Sequence, residues 1–360
     1  MKDLLVIGAG PAGLAAAIAA AQRGFSVEVL ERRSLPADKA CGEGILPRGL
    51  AALTALGVRP HLDPEGCAAI HSIRWLDASG ARAEARLRGA GGLGVRRTAL
   101  SAALLERARA LGVAVHEGCE VRAHRRGPRE VVVDSSAGQR AGRLLVAADG
   151  LASPVRAREG WLLPGPARRR FGVRRHFARA AWSDAVEVHF ADGAEAYVTP
   201  AGPGRVGVAL LFEEEAPHAF EELLARFPAL QDRLAGAPFD SAPAGAGPLE
   251  QRVSRTCADR LVLLGDAAGY ADAITGEGLS LAFASALSLA RELPAVLDGG
   301  ATRAALRRHE REARARYRRY QAVTRLVLAL SRRPPLRRRA IALLGASPHL
   351  FGALVHSAIG

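Results

Sequence analysis

Three glycines spaced as Gly8-Ala9-Gly10-Pro11-Ala12-Gly13 stand between an apolar run, Asp3 to Ile7, and a helix-forming stretch, Ala12 to Arg23. Residues without a Cβ let the backbone close on a pyrophosphate, and a helix that starts there turns its unpaired N–H groups toward the phosphates. Gly24 stops that helix, and Ser26 to Glu31 reads as a second strand, so the segment has the length of a βαβ unit. Glu31 ends the strand where a carboxylate accepts hydrogen bonds from a ribose. Together these features indicate a bound dinucleotide and leave open which one.

A second set of residues lies far downstream. Leu263-Leu264-Gly265-Asp266 ends another apolar strand, and Thr275-Gly276-Glu277-Gly278-Leu279 opens a long helix. Asp266 can hold a ribityl hydroxyl or a phosphate-bound water there, and the helix N-terminus would stabilise a reduced flavin at N1 and the C2 carbonyl. Three further segments carry candidate chemistry: Arg97-Thr98-Ala99-Leu100 at a helix start, Ala148-Asp149-Gly150 at a strand end, and Cys41-Gly42-Glu43-Gly44 after the second strand. Taken alone, Arg97 reads as a solvated helix-start residue and Cys41 as an inert small hydrophobe.

In order, these motifs resemble the family of class A flavoprotein monooxygenases, p-hydroxybenzoate hydroxylase-like, and geranylgeranyl reductases. The resemblance runs from Met1 to about Pro294 and rests on the first glycine motif with Glu31-Arg32, the Arg97 segment, Ala148-Asp149-Gly150 with Ser153 and Arg156, and Gly265-Asp266 with Thr275-Gly276-Glu277-Gly278. It implies FAD as cofactor and NAD(P)H as a transient reductant. It also implies that Gly8, Gly10, Pro11, Ala12, Gly13 and Gly150 shape the phosphate site, with Gly265, Gly276, Gly278 and Leu279 at the flavin end. Glu31 and Arg32 would meet the adenosine ribose, and Arg97 and Asp266 the ribityl-phosphate portion. Asp149 would lie near the pyrophosphate. Cys41 and Glu43, in a segment like that of the geranylgeranyl reductase branch, would stand beside the isoalloxazine ring as catalytic candidates.

The elements that must position these groups follow from periodicity. Thr98 to Leu111 has helical spacing and is closed by Gly112, and Glu130 to Ala148 alternates as strands. Ala185 to Phe190, Ala196 to Thr199 and Val206 to Leu211 form a strand group separated by turns. The expected architecture is α/β: a discontinuous Rossmann-type FAD-binding domain (1–75, 94–160 and 250–300), an inserted antiparallel-sheet substrate domain (76–93 and 161–249), and a C-terminal basic helical region (301–360). His176 and His189, on or near that sheet, read more readily as ordinary sheet histidines than as substrate contacts.

Composition narrows the function classes. With 49% hydrophobic and 24% charged residues the 360-residue chain is globular rather than disordered. Its four cysteines, scattered at Cys41, Cys67, Cys119 and Cys257, suit a reducing cytoplasm, and no metal site is expected. The net charge of +14 sits almost wholly in the tail, where residues 301–360 hold fourteen Arg against Glu310 and Glu312, so nucleic acid is not an expected partner. Ala301 to Ser331 and Leu336 to Leu344 read as helices broken at Pro334-Pro335, either a solvated cap or a surface for peripheral membrane contact. Disulfide-reductase chemistry is excluded because Leu46 stands where the second cysteine would be, and no Trp-x-Trp segment supports halogenation. Tyr197, in Tyr197-Val198-Thr199-Pro200, stands where the prenyl-reductase pattern has Trp. The first functional expectation is an NAD(P)H-dependent monooxygenase that hydroxylates or epoxidises a lipophilic or aromatic small molecule. The alternatives are a flavin ene-reductase of an isoprenoid or polyketide, and a flavoprotein binding or maturation factor acting on a protein partner.

Overall fold

In the computed structural model, which describes residues 1–213 and 218–359, the strand Lys2–Ile7 sits at the centre of an eight-stranded sheet. Val27–Leu30 and then Ala114–His116 extend the sheet on one side, Gly138–Ala147 and then Leu261–Leu263 on the other, all parallel. The unbroken apolar sequence of the central strand has a direct cause. Leu4 and Val6 pack into a core with Leu14, Ile18, Leu104 and Phe283 of three covering helices, Pro11–Ala21, Arg97–Ala110 and Gly278–Asp298. Leu5 and Ile7, on the other face, pack with Val131, Val133 and Leu145. A strand covered on both faces must be apolar at every position. Among the described residues Gly278–Asp298 is the one helix long and apolar enough to cross a membrane, and it is a core helix of this sheet.

The second sheet has seven strands in the order Ala244–Ala246, Phe171–Phe177, Val206–Phe212, Ala194–Pro200, Ala185–Ala191, Ser72–Asp77, Arg82–Arg86. It differs from the expected antiparallel sheet at one junction, where Ala185–Ala191 runs parallel to Ser72–Asp77. Because Ser72–Asp77 belongs entirely to this sheet, the boundary placed at residue 75 moves to before Ser72. A small third sheet, Gly44–Ile45, Gly92–Val95 and Cys67–Ile70, carries the end of the Cys41 segment.

The tail forms three helices, Arg307–Ser331, Pro334–Ala346 and Pro348–Ile359. Pro334 and Pro335 do more than end the first: they occupy the opening turn of the second, where a missing N–H costs nothing. The last two helices lie across the strand Arg82–Arg86, with a close approach at Gly345, whose Cβ would fall 2.1 Å from the Arg82 carbonyl oxygen. Arg337 is buried in that contact. Its guanidinium donates to Asp77 (2.6 Å), Asp192 (3.1 Å) and the Ser331 carbonyl (2.9 Å), so it locks the tail to the sheet. Burial alone would raise the Asp77 carboxyl, but hydrogen bonds from Ser79 and Arg337 hold it below its ordinary range.

Candidate active site

The glycines of the first loop differ in what surrounds them. Gly8 has φ +95°, and a Cβ there would meet the Ala148 carbonyl oxygen at 2.5 Å; a Cβ on Gly13 would lie 1.9 Å from the Gly8 oxygen. Both glycines let helix Pro11–Ala21 close on the sheet. Gly10 differs, because its Cβ would meet nothing within 4 Å. The space above Gly10 is open, and the helix starts at Pro11 with no side chain capping its N–H groups. This is the form of an anion cradle. Glu31 is drawn to the same loop: one carboxylate oxygen accepts from the Ala9 N–H at 2.7 Å and the other from the Arg33 N–H at 2.9 Å. Arg32 is exposed beside it.

The downstream motifs converge on the same place. Gly265, at φ +59°, presses against Ala12, where its Cβ would be 2.7 Å from the Ala12 Cβ. Asp266 follows and accepts from Lys39 Nζ at 3.0 Å. Arg156, buried, donates to the carbonyls of Asp266 and Ala267 at 3.1 Å each and to Gln251 at 2.8 Å, fixing the Gly265-Asp266 turn. Asp149 accepts from the Val155 N–H at 3.0 Å and so organises the Gly150 turn. Helix Gly278–Asp298 aims an uncapped N-terminus at the site, with Gly276, Gly278 and Leu279 lining it.

The catalytic candidates take different positions. Cys41 is half-buried, lines the cavity and accepts from the Glu43 N–H at 3.3 Å. Glu43, by contrast, is buried and spent on positioning: Oε1 accepts from the Arg97 N–H at 2.8 Å and Oε2 lies 2.6 Å from His176 Nε2. His176 is itself fully buried on the second sheet, with Nδ1 at 3.0 Å from the Arg174 guanidinium and 2.9 Å from Ser241 Oγ. A guanidinium only donates, so Nδ1 must accept and Nε2 must carry the hydrogen given to Glu43. His176 therefore pins the Cys41–Gly44 loop to the second sheet. Arg174 continues this bridge to Asp38 and to the Lys39 carbonyl. His189 bonds Glu187 at 3.1 Å, as an ordinary sheet histidine would. Burial weakens the Arg97 charge, but Cys41, Glu43 and Asp266 outweigh it and hold Arg97 above its ordinary value.

These elements enclose a cavity of about 820 Å³ that runs from the Gly10 loop past Cys41, Arg97 and Asp266 into an apolar chamber. Trp75, Val188, Tyr197 and Leu211 of the second sheet line the chamber, with Leu344 and Phe351 of the tail opposite. The Tyr197 hydroxyl donates to the Ile274 carbonyl at 2.5 Å, so its polar tip is satisfied by protein. Three buried polar atoms in these motifs, Arg97 Nε, Asp149 Oδ1 and Thr275 Oγ1, have no hydrogen-bond partner among the described residues. Unpaired buried donors and acceptors beside two uncapped helix N-termini and an open Gly10 cradle fit a long, anionic, polar cofactor.

A family model described as an FAD binding domain matches residues 1–324. The chain belongs to this FAD-binding family. This flavoprotein is an FAD-dependent oxidoreductase, and FAD is its cofactor. It is 31% identical to a menaquinone reductase of Mycobacterium tuberculosis over 304 residues, 77% of this chain and 72% of that protein. It is also 31% identical to digeranylgeranylglycerophospholipid reductase 1 of Methanopyrus kandleri over 311 residues, 78% of this chain and 77% of that one. A halogenase solved in complex with phloroglucinol and FAD shares the fold, with a TM-score of 0.82 over 99% of this chain and 85% of its own at 16% identity.

Sequence reasoning missed His176 as a positioning residue, and with it Arg174 and Lys39. The only local signal was a charged residue two positions from a histidine on a strand, both of which must share one face.

Proposed function

We propose that this flavoprotein reduces a carbon–carbon double bond of a long apolar substrate, an isoprenoid chain, with a nicotinamide as reductant. The reading rests on the continuous apolar chamber between the second sheet and the tail helices, which opens from the flavin end of the site. A chamber of this lining suits an extended hydrocarbon better than a compact polar ring. The two reductases named above are consistent with that substrate class.

FAD, when bound, supplies hydride chemistry. The residues of the chain do the rest. Pro11–Ala21 and Gly278–Asp298 hold anionic groups at their N-termini, and Arg97 adds a buried positive charge. Trp75, Val188 and Leu211 exclude water from the reacting alkene. Cys41 holds its thiol proton at the chamber wall. In the proposed addition Cys41 Sγ would give that proton to one alkene carbon, the reduced cofactor would supply the hydride equivalent for the other, and water would then reprotonate the sulfur. The Glu43 N–H, already on Sγ, stabilises the thiolate left behind.

The test is anaerobic turnover with NAD(P)H and a polyprenyl substrate. The expected product carries two added hydrogens and forms without oxygen, and Cys41→Ala lowers kcat by about a hundredfold with FAD retained. Monooxygenation, the first expectation from the sequence, is the contrary outcome: turnover only with oxygen and a product carrying one added oxygen atom would overturn the proposal.

A further inference from the structure

We infer that the rim of the cavity is a docking surface for an anionic lipid bilayer, through which an apolar substrate enters directly from the membrane. The inference deepens the proposed function and rests on that reading only for the identity of the substrate.

Five leucines of the tail, Leu326, Leu336, Leu343, Leu350 and Leu354, are between 46% and 66% exposed, and all five also line the cavity. Residues that are both exposed and lining mark an opening. Elsewhere among the described residues the large exposed hydrophobic residues are Met1, Leu162, Leu163 and Phe239, so the apolar surface is concentrated at this mouth. The helix Pro334–Ala346 shows why. Arg337, Ile341 and Leu344 make its buried face, while Leu336, Ala340 and Leu343, spaced by four and three, form a separate stripe along the cavity. Leu350 and Leu354 repeat the spacing on the next helix.

Charge selects the partner. From Ala313 to the C-terminus the chain contains no acidic residue and ten Arg. Arg337 is turned inward onto Asp77, but Arg325, Arg333 and Arg339 are exposed beside the leucines, and Arg333 itself lines the mouth. Apolar side chains ringed by cations match the boundary between acyl chains and anionic headgroups. A water-filled approach would instead force a hydrocarbon chain through solvent to reach the chamber.

The test needs no turnover. Full-length protein is floated with vesicles of equal phosphatidylglycerol and phosphatidylcholine, and with pure phosphatidylcholine, at low and high salt. The expected result is recovery with the anionic vesicles, at least tenfold less with pure phosphatidylcholine, and loss at high salt, about as two-signal membrane binding behaves. Leu343→Ser with Leu354→Ser, or Arg333→Gln with Arg339→Gln, should each lower binding by roughly tenfold. Retained bound FAD shows that those variants fold. Wild-type protein that stays with the soluble fraction, binds both vesicles equally, or binds as well when the leucines are replaced would overturn the inference. Alkene reduction could still hold in any of those cases.

Discussion

Replacing His176 by Phe should loosen the contact between the two lobes and the loop that carries Cys41. An aromatic ring is kept, but Glu43 Oε2 loses its 2.6 Å partner while remaining buried with 1% side-chain exposure. Arg174 loses its acceptor at Nδ1 as well. Stranding a buried carboxylate oxygen costs about 2–4 kcal/mol. With an unfolding entropy of about 2.1 cal/mol/K per residue, or about 0.76 kcal/mol/K over this chain, a loss of about 3 kcal/mol lowers Tm by about 4 °C. His176→Gln, whose amide N–H can still reach the carboxylate, should lose less. The assay is thermal unfolding of the holoprotein for His176→Phe, Glu43→Ala and the double variant, and their coupling should exceed about 1 kcal/mol, since the residues act as one contact. Additive effects within about 0.3 kcal/mol, or a Tm unchanged by His176→Phe, would refute the reasoning.

Glu277 and Arg337 give two further expectations. Burial pushes the Glu277 carboxyl up to about 7 from its ordinary 4.5, against the pull of Arg48 and Arg319. Below both values the two states bind the proton equally; as pH rises from 4.5 to 7 the unfolded chain ionises first, so the folded form loses stability across that window and stays penalised above it. Glu277→Gln should therefore stabilise the protein by up to about 3 kcal/mol at pH 8 and by almost nothing at pH 4, read from denaturant midpoints; a gain independent of pH would contradict the assignment. Arg337→Met leaves Asp77 buried without its 2.6 Å partner, at a cost of about 3–5 kcal/mol. Limited proteolysis should then cut faster between Ser331 and Pro334, whereas an unchanged cleavage rate would show that Arg337 does not hold the tail.

The parts of the site that sequence made legible are those with local steric causes. Gly8 and Gly13 must be glycine because of atoms within a few residues or on the neighbouring strand, and the apolar run Leu4 to Ile7 records burial on two faces. The Glu43–His176 contact joins a loop residue to a strand residue 133 positions away, and nothing in the spacing of either segment encodes it. Glu43 accordingly read as a catalytic carboxylate, although both its oxygens are already bonded in the fold. Arg337 read as one more arginine of a basic amphipathic helix because its partner, Asp77, lies 260 residues earlier. The parallel pairing of Ser72–Asp77 with Ala185–Ala191 was hidden for another reason: alternation of apolar and polar residues is the same for either strand direction.

We propose that the Gly10 loop, Arg97, Gly265-Asp266 and the Gly278 helix grip one FAD molecule together. Equilibrium titration of the full-length apoprotein with FAD, beside Gly13→Ala, tests it most directly. The wild type should bind one FAD per chain with a dissociation constant of about 1 μM or tighter. Gly13→Ala, whose methyl group would fall 1.9 Å from the Gly8 oxygen and force the helix from its strand, should bind at least about a hundredfold more weakly. Folded wild-type protein that fails to take up FAD, or a Gly13→Ala variant that binds it equally well, would show that these segments do not form one FAD site.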